Sequence, residues 1–110
     1  MTIRLASYGN KSFKVKFGFH ARIMIRDRGI PWALLRRSLK VSSPRYELYD
    51  NKRKSIVIVV KVAGRLFAVP IVVNERKSLA EVRTVYRIFS RKLRRRIKNG
   101  RWQLIRCSLF

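Results

Sequence analysis

The residues able to do chemistry are unevenly supplied. His20 is the only histidine, and so the only side chain whose ordinary pKa lies near neutrality. It can act as a general base towards a hydroxyl, with Arg22, Arg26 or Arg65 stabilising a phosphate transition state. Tyr46, Tyr49, Thr84 and Tyr86 are the hydroxyl groups that can partner it. Metal-independent phosphodiester cleavage needs a base, an acid and a charge stabiliser held together, and only the stabiliser is abundant. The bland reading of His20 is a helix-face side chain that hydrogen-bonds a neighbour or stacks. No catalytic set is favoured.

Other chemistries are thinner still. Asp27, Glu47, Asp50, Glu75 and Glu81 are the only acids, and none pair in sequence as a magnesium site would require. Cys107 is the lone cysteine, so neither a disulfide framework nor a thiolate zinc cluster is expected. The glycines form no phosphate-cradling loop. The reading is of no metal, no cofactor and no small-molecule substrate.

Charge is the dominant signal. The 110 residues carry 28 Lys and Arg against 5 Asp and Glu, a formal net charge of +23. A small soluble domain needs a net charge of only about 2–8, and self-repulsion at this excess opposes compaction. Apolar residues make up 47% of the chain, so it is not a disordered basic tail. A polyanion is the implied partner. Membrane is disfavoured: the longest apolar run, Ile56 to Val60, falls far short of the ~20 residues of a spanning helix. No signal-peptide pattern follows Met1. A reducing, cytoplasmic setting is the default.

The basic residues concentrate after Ser90, where Arg91, Lys92, Arg94, Arg95, Arg96, Lys98, Arg101 and Arg106 occur without an acid among them. Arg36 and Arg37 in an upstream helix, and Lys52, Arg53 and Lys54 in a turn, add to them. Arginine binds phosphate bidentately and stacks on bases. Trp102 is read either as a base-stacking platform or as a hydrophobic anchor.

The elements that must position these groups follow from spacing. Phe13, Val15 and Phe17 alternate with Lys14 and Lys16, a short strand. Phe19 to Arg28 reads as a helix ended at Gly29. Pro31 opens a second helix carrying Trp32, Leu35 and Leu39, closed by Ser42, Ser43 and Pro44. Arg45 to Tyr49 is a strand and Asp50 to Arg53 a turn. Ser55 to Val62 is a strand buried on both faces. Ala63-Gly64 turns the chain into a strand from Leu66 to Val73, which Pro70 assigns to an edge or a bulge. Asn74 to Ser78 is a loop, and Glu81 to Ile88 alternates as a strand. Phe89 to Lys98 is a short basic helix ended at Asn99-Gly100, and Arg101 to Phe110 a tail.

Phe19-His20-Ala21-Arg22, followed by Arg26-Asp27-Arg28-Gly29-Ile30 and later by Arg83-Thr84-Val85-Tyr86, resembles the signature of a widespread domain of unknown function. That domain is similar to RelE-like and barnase-like ribonuclease toxins. The resemblance covers Phe19 to Ile88 and departs from the family at Pro31-Trp32-Ala33-Leu34. The order of elements, two helices then three or four strands, gives an α+β fold, with two N-terminal helices packed on a small, mostly antiparallel sheet and a basic C-terminal helix or tail, and the resemblance implies the same two-helix arrangement. It also implies RNA as ligand.

The expected organisation is an N-terminal extension over 1–18, a RelE-like domain over 19–88 and a basic RNA-binding extension over 89–110. The expected role is a structural RNA-binding protein, ribosomal or ribosome-associated, contacting rRNA on a ribosomal subunit. Uniform binding of many phosphates does not raise turnover, which counts against the alternative, a ribonuclease toxin using His20, Arg22, Arg26, Arg65 and Tyr86. A DNA-binding regulator is the second alternative. Helix-turn-helix binding over Phe19 to Lys40 fits poorly with the Val/Ile-rich strands that follow.

Overall fold

Ser55–Val62 sets the architecture. Ile56, Ile58, Val60 and Val62 enter one apolar core, while Val57 and Val59 enter another. Successive strand residues point to opposite faces, so a strand apolar on both must lie inside a sheet covered on both sides. In the computed structural model, which describes residues 1–40 and 45–108, it is the fourth of eight strands. These are β1 (Thr2–Leu5), β2 (Lys11–Phe17), β3 (Arg45–Asp50), β4 (Ser55–Val62), β5 (Arg65–Asn74), β6 (Leu79–Val82), β7 (Tyr86–Arg87) and β8 (Trp102–Ser108). The helices are α1 (Phe19–Asp27), α2 (Trp32–Ser38) and α3 (Ser90–Lys98), and a single 3-10 turn spans Ala6–Tyr8.

The strand order is β1-β2-β6-β5-β4-β3-β8, with β7 also paired to β5. Neighbours are antiparallel except β2 and β6, which run parallel. Polar side chains draw the two ends of this sheet together. Glu47 on β3 is buried and accepts hydrogen bonds from Ala6 N (2.9 Å), Ser7 N (2.9 Å) and Ser7 Oγ (2.7 Å) at the end of β1. Arg45 donates to Leu39 O (3.0 Å) and to Arg4 O on β1. Burial lowers the Arg45 pKa, opposed by Glu47 and reinforced by Arg106. Arg106 on β8 reaches Asn10 Oδ1 at 3.3 Å. The sheet therefore curls. Inside the curl, Ala21, Ile25, Ile30, Leu35 and Leu39 of the α1–α2 region pack on Ile3, Phe13, Phe17 and the inner residues of β4 and β5. Outside it, Leu93 of α3 packs on Leu48, Val57, Val59, Ala68, Ile88 and Trp102.

This corrects the expected fold. The two N-terminal helices do not sit on a small sheet. They occupy the inside of an eight-stranded one, and strands precede the first helix and follow the last. Among the described residues, β1 and β2 of the first eighteen and β8 after α3 all pair into that sheet. β8 escaped detection because a register shift between Glu47 and Leu48 breaks its pairing with β3. An extra residue in one strand disrupts the alternation that announces a strand. Trp102 is buried but Leu104 is 44% exposed.

Pro70 is a correction in part. It does not lie in an edge strand, since β5 has neighbours on both sides and stays in register with β4 through Val57↔Pro70, but towards β6 and β7 the register shifts by one residue across it, as a bulge does. On its other side β5 pairs with β6 from Ile71 onward and with β7 at Phe67 and Ala68. Pro70 O accepts Arg83 N at 3.1 Å across that break. A strand residue's N and O point the same way, so the missing donor faces the gap between β6 and β7, where no ladder partner is lost. The strand expected from Glu81 to Ile88 is interrupted at the same gap.

The residues that carry the resemblance have a local structural account. Ile30 N bonds to Ile25 O (3.0 Å) and Gly29 N to Arg26 O (3.1 Å), with Gly29 at φ 63°. This is a Schellman cap. Ala21 is fully buried under α1, and Arg28 donates to Val85 O, tying the cap to the Thr84-Val85-Tyr86 segment. The expected closing residues Ser42, Ser43 and Pro44, and Leu109 and Phe110 of the tail, lie outside the described residues.

Candidate nucleic-acid interface

α3 forms against its own electrostatics. Arg91 and Lys92 stand in its first turn, where the helix dipole disfavours cations, and no side chain caps its N-terminus. Arg91, Arg94, Arg95 and Lys98 share one face at i, i+3, i+4 and i+7 spacing, where like charges destabilise a helix by about 0.2–0.5 kcal/mol per pair. Leu93 is buried and Ile97 half-buried on the opposite face. Arg96 lies over the Trp102 ring, 4.7 Å from its centroid, and donates to Tyr86 Oη at 3.1 Å. Packing thus holds in place a helix that presents an unbroken cationic face.

The turn between β3 and β4 is fixed beside it. Asp50 Oδ1 accepts from Lys52 N (3.0 Å) and Arg53 N (3.1 Å), and Asp50 Oδ2 faces Arg101 Nη2 at 3.7 Å. Asn51 binds the chain that leaves α3, through Arg101 O (2.8 Å) and Gly100 O (2.8 Å). Burial pushes the Asp50 pKa up, but the Arg53 and Lys52 amides, the nearby Trp102 indole and Arg101 outweigh it, and the carboxyl is held below its usual range.

Between these parts lies a cleft of about 610 Å³. Outward-facing residues of β4 and β5 left uncovered by α3, namely Ser55, Pro70 and Val72, supply its floor. Arg53, Arg83, Arg96 and Arg101 line it with Thr84 and Tyr86. Asp50 is the only carboxylate in its lining and is already engaged, and Glu81 pairs with Arg83 at 3.1 Å from outside it. Four guanidinium groups around a partly apolar floor suit a ligand that is anionic on one side and flat and aromatic on the other.

The basic residues expected to bind do not all meet. Arg53, Arg96 and Arg101 come together at the cleft. Arg91, Lys92, Arg94, Arg95 and Lys98 are exposed along α3, and Lys52 and Lys54 on the turn. Arg106 sits apart on β8 against Asn10. Arg36 and Arg37 lie on α2, which packs on the other core. Trp102 is fully buried and serves as an anchor, not an open platform.

His20, Arg22 and Arg26 belong to α1, inside the curl, whereas Tyr86 packs with the outer core and Arg65 begins β5 at the hairpin. The sheet separates His20 from Tyr86. Arg83 and Pro70 were missed as site residues. Their signal was the Pro70 break itself, which places Arg83 beside the floor. Among the described residues no three His, Cys, Asp or Glu side chains gather to hold a metal ion, and no helix is long and apolar enough to cross a membrane. No protein-family profile, curated protein or solved structure matches the chain.

Proposed function

We propose that this chain is a structural RNA-binding protein whose partner is folded RNA, with ribosomal RNA as the specific candidate. The observation that carries the reading is the convergence of α3, the 51–54 turn and Arg101, which links α3 to β8, on one arginine-lined cleft. The distribution of charge supports it. Every Lys and Arg except Arg45 is at least partly exposed, whereas Glu47 and Asp50 are buried. The surface is therefore more one-signed than the composition.

In this reading α3 lies along phosphates and the cleft receives an unpaired nucleotide, its base against Pro70 and Val72 and its phosphates among the guanidiniums. Permanent neutralisation of many phosphates suits a resident of a ribonucleoprotein better than an enzyme that must release its substrate.

The test is binding to a structured RNA with unpaired nucleotides and to duplex DNA of equal charge, across a salt series. Affinity for the RNA should exceed that for the DNA and fall steeply with salt. Arg91→Ala/Arg94→Ala/Arg95→Ala should weaken binding and flatten the log–log salt slope by about 1 for each phosphate no longer neutralised. Equal affinity for the duplex DNA, or a slope untouched by the triple substitution, would sink the reading. Co-sedimentation with a ribosomal subunit through high salt tests the rRNA assignment, and recovery only in the free fraction removes it.

A further inference from the structure

A second basic groove shares no lining residue with the cleft. It encloses about 490 Å³ and is lined by Lys14, Lys16, Phe17, Arg22, Trp32 and Arg36, among others, with no carboxylate in its wall. Its aromatic wall is built on the inner core: Phe17 is buried there, and the Trp32 ring packs against it at 4.6 Å, tilted by 54°. Trp32 remains 37% exposed. The indole is therefore held on one side by Phe17 while part of it is open beside four cations. This is the combination of stacking surface and positive charge that single-stranded nucleic acid recognises.

The two grooves belong to different cores of one curled sheet, in a body 32 × 32 × 28 Å. An RNA helix lying along α3 meets the face of the sheet that carries the outer core, whereas the groove at Trp32 is built on the inner one. We propose that the groove holds a second RNA segment, so that one chain ties two segments together. The proposal rests on the RNA-binding reading and adds valency to it.

The test uses the full chain and two separate RNA hairpins with unpaired loops, one carrying a donor fluorophore and the other an acceptor. Energy transfer should rise towards one chain per two hairpins and fall when chain is in excess. Lys14→Ala/Lys16→Ala/Arg22→Ala should abolish the transfer while a single hairpin still binds on the α3 side. Arg91→Ala/Arg94→Ala/Arg95→Ala should diminish it from the other side. All of these positions are exposed, and unchanged circular dichroism checks their folding. Transfer that persists at full strength in the Lys14, Lys16, Arg22 variant would overturn the proposal. So would a wild-type chain that binds a hairpin yet never gives transfer, an outcome that leaves the single-surface reading intact. A chain that binds neither hairpin removes both readings together.

Discussion

Glu47 and Asp50 are the two carboxylates that folding takes from the surface, and each organises backbone donors. Glu47 joins β3 to the turn after β1, and Asp50 shapes the basic turn and faces Arg101. The Asp50 carboxyl is held below its ordinary range, so the unfolded chain binds its proton more readily than the native one. Its stabilisation is present above the ordinary carboxylate pKa of about 3.9 and is lost as pH falls through and below that value. Urea titrations at neutral and acid pH should show the wild type losing more stability on acidification than Asp50→Asn. At neutral pH that variant should be weaker by about 1–3 kcal/mol. A parallel loss in both proteins would assign the acid sensitivity elsewhere. At Gly29 an added Cβ meets nothing, but φ is +63°. Gly29→Ala should therefore cost about 1 kcal/mol through backbone strain alone.

Among elements, β8 shows most clearly how reading and structure part. The periodic segments were legible: β2, α1, α2, β3, β4 and α3 stand where alternation, helical spacing and the Gly29 and Gly100 stops place them. β8 was not, because its register shift removes the period, and its arginines resemble those of a solvated tail. Pro70 was half legible for a related reason: a sequence displays the missing donor, which announces an irregularity, but not the direction in which it points, so it could not tell an edge from the break between β6 and β7. In the site, Arg53, Arg96 and Arg101 were named from charge alone, while their meeting at one cleft, and Arg83 with them, depended on pairings between distant strands. Since β8 covers β3 and carries the buried Trp102, deletion of residues 101–110 should destroy the fold. Near-ultraviolet circular dichroism of the truncated chain checks this, and a retained native spectrum would return β8 to the status of an appendage. Trp102→Ala alone should cost about 3–5 kcal/mol.

At the scale of the molecule, two opposed demands meet in one body. Apolar residues on both faces of the sheet drive it together, and the exposed cations drive it apart. The burial of Glu47 and Asp50 sharpens this tension, because the native form offers its surroundings fewer negative groups than the denatured chain does. Any ligand that binds only the native form raises its stability by mass action. For this chain, an anionic polymer that never touches the core should act as a folding aid: heparin or RNA should raise the melting temperature, and low ionic strength without either should lower it. Copies made beyond the supply of such a polymer would be the ones most often open to proteases, so the amount of chain in a cell would track the amount of that polymer without any dedicated regulator.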